Sequence, residues 1–196
     1  MTQSTANDRG WRGSRWRRAL WGGAALLWLL PLVAMRFTAE MNWDETDFIV
    51  WGAMLLGACG VFELAARATG NIAYRAAIGV AVAAAFILVW MNLAVGLIGS
   101  EDNPANLMYA GVLATGLLGA VVARFQPVGM ARTFVVMALA QALVAVIALV
   151  FGLGSDGANW PQVIFVLNGF FAALWLLSAW LFRKAALERT PAGAAR

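Results

Sequence analysis

The sequence predicts an all-α integral membrane bundle of six transmembrane helices. Three observations predict it. Of 196 residues, 62% are hydrophobic and only 12% charged, about half the charged share of an ordinary soluble domain. Six apolar stretches reach the roughly 17–25 residues that cross a hydrocarbon core as helix. The arginines fall at the ends of those stretches, on alternating sides.

Residues 1–18 form a basic tail in which Trp11 and Trp16 alternate with Arg9, Arg12, Arg15, Arg17 and Arg18. This composition suits an anchor at a membrane interface with anionic headgroups; docking of a cytoplasmic partner is the alternative. The first span covers 19–35. A signal peptide is its rival, but the run holds Trp21 and Trp28 and has no clean A-x-A site before Arg36, so an uncleaved helix is expected. The remaining spans cover 48–66, 76–98, 107–123, 133–153 and 163–182, followed by a basic tail over 183–196. Period-two alternation is missing and the runs exceed a barrel strand's length, so helices that satisfy their own backbone are expected.

Of the fourteen basic residues, all but Arg36 belong to the two tails or to the links between spans two and three and between four and five. The positive-inside rule therefore predicts that both termini are cytoplasmic. The acids Glu40, Asp44, Glu45, Asp47, Glu101, Asp102 and Asp156 fall on the opposite side, so the net charge of +4 is the difference between two unlike faces. Basic residues at helix ends have anionic lipid headgroups as partners and give no reason to expect nucleic acid.

Arg18, Arg75 and Arg132 recur every 57 residues, and Gly96–Glu101 is echoed by Gly152–Asp156. Three tandem helical hairpins are implied, either by duplication or by the geometry of equal hairpins. Rows of small residues predict the packing faces: Ala53, Gly57, Val61 and Ala65; Ala77, Ala81 and Ala85; Gly111, Thr115, Gly119 and Ala123. Trp90, Trp175, Trp180 and the phenylalanines are assigned to lipid-facing or interfacial positions.

With no histidine and a single cysteine, Cys59, the chain cannot build a His-ligated metal centre, a bis-histidine haem or a Ser-His-Asp triad. Cys59 reads as a packing residue. No metal, cofactor or catalytic constellation is expected, and the protein is read as not an enzyme. Glu63 is the ionisable residue inside a span. It either pairs with Arg67 one helical turn away or serves as a proton or cation relay. Asn92 and Asn168 are expected at one depth on facing helices, hydrogen-bonded to each other or flooring a polar pocket that Gln141 continues. Glu101, Asp102, Asn103 and Asn106, with Asp156, could form an outer cation site, but Asn103 and Pro104 also fit the grammar of a helix start, as do Thr46 with Asp47 and Asn159 with Pro161.

The stretch from Trp90 to Tyr109, WMNLAVGLIGSEDNPANLMY, with Ala123–Phe125 and Gly129–Arg132, resembles a group of small uncharacterised multi-pass inner-membrane proteins of Gram-negative bacteria. The resemblance implies a bacterial inner (plasma) membrane location and the same multi-pass topology, and it carries no site residues. Two functional expectations stand: a non-catalytic membrane component that assembles with itself or a partner through small-residue helix faces, or a small transporter or channel for a proton, cation or small cationic solute.

Overall fold

The computed structural model describes residues 4–38, 42–157 and 159–189, with side chains from residue 16 onward. Readings placed on the side chains of Arg9, Trp11, Arg12, Arg15, Glu40 and Arg196 lie outside these. The helices are α1 (Ser4–Ala34), α2 (Glu45–Ala68), α3 (Ile72–Ala94), α4 (Met108–Val122), α5 (Pro127–Val150) and α6 (Gln162–Leu187), with a 3₁₀ turn at Pro104–Leu107 leading into α4. Five of them, the last four and α2, are long and apolar enough to cross a membrane, α4 together with its 3₁₀ turn. The chain is thus an all-helical multi-pass membrane protein. Its outer surface agrees, since Leu117, Leu118, Val121 and Val122 of α4 are each more than 60% exposed. The apolar part of α1, residues 19–34, measures about 24 Å at 1.5 Å per residue and is interrupted by Pro31.

The chain divides into two compact units, residues 1–67 and 68–196. In the first, α1 and α2 pack through large rings. Trp16 meets Phe62 edge-on at 6.1 Å and Trp28 meets Phe48 at 6.0 Å. Gly52 makes room for Trp28, because a Cβ there would lie 2.9 Å from the indole nitrogen. Pro31 has no N–H to give to the carbonyl four residues earlier, that of Leu27. The Trp51 indole N–H donates to that oxygen at 3.0 Å, so α2 completes the hydrogen bond that α1 lacks. At the start of α2, Asp44 and Asp47 each accept the other's backbone N–H at 3.0 Å, a reciprocal cap.

In the second unit the closest-packed neighbours are α5 with α6, α3 with α6, and α4 with α5. Ala73, Ala77, Ala81, Ala84 and Leu88 of α3 are buried. Ser178 of α6 donates to the Ala77 carbonyl at 3.0 Å. The expected row Ala77, Ala81, Ala85 holds for two members only. A helix has 3.6 residues per turn, so a strict step of four drifts off the contact line and Ala84 replaces Ala85. On α4 the same drift moves the seam to Val112, Gly116 and Gly119. A Cβ on Gly119 would come within 2.5 Å of Thr133 and one on Gly116 within 2.5 Å of Met137. Gly111 faces open space. The expected α2 row is likewise on the open side at Ala53, Gly57 and Val61, while Leu55, Cys59, Glu63 and Ala66 are buried.

Two expectations are corrected. Trp175 is fully buried, as are Phe171 and Phe182, rather than facing lipid. Phe134 stacks on Phe182 at 5.4 Å and Tyr74 meets Phe182 edge-on at 5.0 Å, so these rings form the core of the unit. Trp180, by contrast, is exposed. The third and fifth helices also end before their apolar runs do, at Ala94 and Val150. Gly96, Gly99, Gly152 and Gly154 have φ between +65° and +77°, a left-handed conformation that stops a helix whatever the hydropathy of its neighbours. Gly154 touches Gly99 so closely that a Cβ would sit 2.6 Å from the Gly99 nitrogen. This end of the unit is called the glycine end, and the opposite one, bearing Arg75 and Arg124, the arginine end.

The glycine seam gives a test with opposite signs. Gly119→Ala is expected to lower the unfolding free energy by about 1–3 kcal/mol through overpacking against Thr133. Gly111→Ala, with nothing to strike, is expected to raise it by about 0.5–1 kcal/mol through lost backbone entropy. Reversible unfolding in mixed micelles measures both.

Candidate functional site

Glu63 is 7% exposed, on the face of α2 turned toward α1. The expected partner Arg67 is bound to its Oε1. Two further partners come from α1: Arg17 Nε lies 2.5 Å from the same oxygen, and the Trp21 indole donates to Oε2 at 2.7 Å. Both carboxylate oxygens are therefore engaged by three side chains on two helices. Arg17 and Trp21 are four residues apart, hence on one face of α1. That spacing is the signal in the sequence that could have placed them opposite Glu63.

Asn168 and Gln141 lie at the centre of the second unit, 2% and 0% exposed. Gln141 Nε2 donates to Asn168 Oδ1 at 2.9 Å, and the Tyr109 hydroxyl donates to the same oxygen at 3.2 Å. The Trp175 indole donates to Gln141 Oε1 at 3.3 Å, and Asn168 Nδ2 returns to the Ile164 carbonyl at 2.9 Å. This network joins α4, α5 and α6, and each amide oxygen in it has a donor. The expected bond between Asn92 and Asn168 is not what forms. Asn92 instead gives its N–H to the Leu88 carbonyl at 2.8 Å, and its Oδ1 is buried without a partner. The reason is neighbourhood: α6, which carries Asn168, presents it to α5 and α4, and meets α3 through Ser178 and Ala77. Tyr109 and Trp175 were not foreseen as partners. Asn168, Phe171, Trp175, Ser178 and Phe182 follow one another at helical intervals of three, four, three and four, and the two polar members mark that stripe as inward.

The residues of the expected cation site are divided among other tasks. Asn106 Oδ1 accepts the N–H groups of Leu97 and Ile98 at 3.1 and 2.9 Å, and its Nδ2 donates to the Ser100 carbonyl at 2.8 Å. It thereby holds the turn that carries the buried Leu97 and Ile98. Asn103 caps the 3₁₀ turn by accepting from the Ala105 N–H at 3.0 Å. Glu101 and Asp102 are exposed at the same turn, and Asp156 is exposed on the other glycine-end loop. Among the described residues no three Asp, Glu, Cys or His side chains converge as a metal would require. A groove of about 480 Å³ opens between α3 and α4 beside this turn, with Asn92, Tyr109, Glu101 and Asp102 among its lining.

The arginine end is tied by Asn71, which caps α3 by accepting from the Tyr74 N–H at 2.8 Å and donates to Glu188 at 2.8 Å. The Arg189 guanidinium lies 5.4 Å from the Tyr74 ring centroid, and the Tyr74 hydroxyl donates to the Phe125 carbonyl at 2.8 Å. Arg124 and Phe125 both have positive φ in the α4–α5 turn, so this bond holds a backbone shape that side chains disfavour.

No protein-family model, curated protein or solved structure matches the chain.

Asn168→Leu is expected to cost about 1–2 kcal/mol, since hydrogen bonds between membrane helices average about 0.6 kcal/mol and two donors lose their acceptor. Gln141→Leu in the same background should add less than it does alone, by about 0.6 kcal/mol of coupling; strict additivity in a double-mutant unfolding cycle would mean the two amides are not linked. At the glycine end, Asn106→Ala is expected to cost about 1–3 kcal/mol by orphaning two N–H groups, whereas Glu101→Gln stays within about 0.5 kcal/mol; thermal unfolding in detergent separates them.

Proposed function

We propose that the chain is a non-catalytic component of a bacterial inner membrane, with α1 as a sixth span and both termini at the cytoplasmic side. The observation that carries this reading is the engagement of Glu63, Gln141 and Asn168 inside the apolar helices. Glu63 is held by Arg17, Arg67 and Trp21, and Gln141 and Asn168 are held by each other, Tyr109 and Trp175. A conducting path needs polar groups free to exchange partners with a passing solute. These groups instead bind helix to helix, the use of polar residues as glue in a bilayer.

The orientation rests on the basic residues of the arginine end and the tails, with anionic headgroups as their partners. The likeness of residues 90–109 to small inner-membrane proteins supports the location. The open side of α2, with Ala53, Gly57 and Val61 in a row, supplies a face on which a second copy can approach closely.

A Gly57→Cys variant in a Cys59→Ser background tests the assembly. Oxidation in native membranes is expected to give a disulfide-linked dimer, while Leu117→Cys on the leucine face of α4 should remain monomeric. If both stay monomeric, or both cross-link to the same extent, self-assembly through the α2 face is wrong.

A further inference from the structure

The groove between α3 and α4 at the glycine end joins apolar walls to an acidic mouth. Its walls are hydrocarbon, with Val89 and Leu93 on α3 facing Ala110 and Leu113 on α4. At its mouth stand the exposed carboxylates Glu101 and Asp102, and no Lys or Arg lines it. Asn92, on the α3 wall, has spent its N–H on Leu88 and keeps an Oδ1 with no donor. That oxygen is sealed from the groove surface, so the features open to a ligand are the hydrocarbon walls and the two carboxylates.

The geometry points to a binding site for a cationic amphiphile: a long-chain amine whose protonated head meets Glu101 and Asp102 while its alkyl chain fills the space between α3 and α4. Charge complementarity selects this occupant. A phosphate or carboxylate head would face two carboxylates with no basic residue in the lining to offset them. A neutral chain would use the walls and leave the acids unanswered. Leu93 and Ala110 on its walls are exposed, which gives an alkyl chain a way in between the helices.

Photolabelling tests the site on the full chain in maltoside micelles, with dodecylamine carrying a mid-chain diazirine as the probe. Labelling is expected to saturate and to map to residues 89–93 and 107–113. Unlabelled dodecylamine should compete about tenfold better than dodecanol, because only its ammonium pairs with the two exposed carboxylates. The double variant Glu101→Gln, Asp102→Asn, altered only at exposed positions, should label at the same segments with that preference lost. Ala110→Trp, which fills the groove, should abolish labelling there while the unfolding temperature is retained. Labelling spread without saturation over the leucine faces would mean simple partitioning into the micelle and would overturn the proposal. So would equal competition by amine and alcohol in the unaltered chain, or a preference that survives the double variant. Cross-linking of an Ala110→Cys chain to a second copy would assign the groove to a protein partner instead, and would overturn it too.

Discussion

Within a bilayer a carbonyl or amide has no water to turn to, and each one left without a partner costs several kcal/mol. The arrangement of this molecule follows from that constraint more than from any attraction between apolar surfaces, which lipid satisfies equally well. Where Pro31 frees the Leu27 carbonyl, Trp51 crosses from the next helix to meet it. Thr115 turns its hydroxyl back to Gly111 on its own helix, and Asn168 does the same with its N–H toward Ile164. Asn92 Oδ1 and Trp160 Nε1 apart, what is not settled within one helix is settled across a seam, so the polar residues help to fix which helices are neighbours.

The helices themselves were legible because hydropathy and helix length report the same physical quantity, the thickness of hydrocarbon to be crossed. Their ends were less so. Val95 to Ile98 is as apolar as the helix before it, yet Gly96 and Gly99 take a backbone conformation that hydropathy does not encode, and the segment becomes a buried turn. Burial was misjudged for a related reason. In water a tryptophan's large apolar surface argues for the core, in a membrane its amphipathic ring argues for the interface, and Trp175 follows neither rule alone. It is inside because its N–H has an acceptor there, Gln141.

For the candidate site, single residues were easier to find than partnerships. Glu63, Gln141 and Asn168 stand out from their surroundings by polarity, and the Glu63–Arg67 pair lies within one helical turn. The contributions of Arg17, Trp21, Tyr109 and Trp175 depend on which helices meet and in what rotation, and 3.6-residue periodicity on mostly uniform apolar surfaces constrains rotation weakly. The small residues of α4 illustrate the limit. Gly111, Gly116 and Gly119 are alike in sequence, but only the latter two touch α5.

The tie at the arginine end has a consequence for how such a chain can be built. Asn71 at the first turn of α3 reaches Glu188 just beyond the last turn of α6, and Thr69 accepts from Arg189 at 3.3 Å. The chain therefore enters and leaves its four-helix unit at one point. A segment whose two ends meet can be inserted, exchanged or circularly permuted without reopening its core.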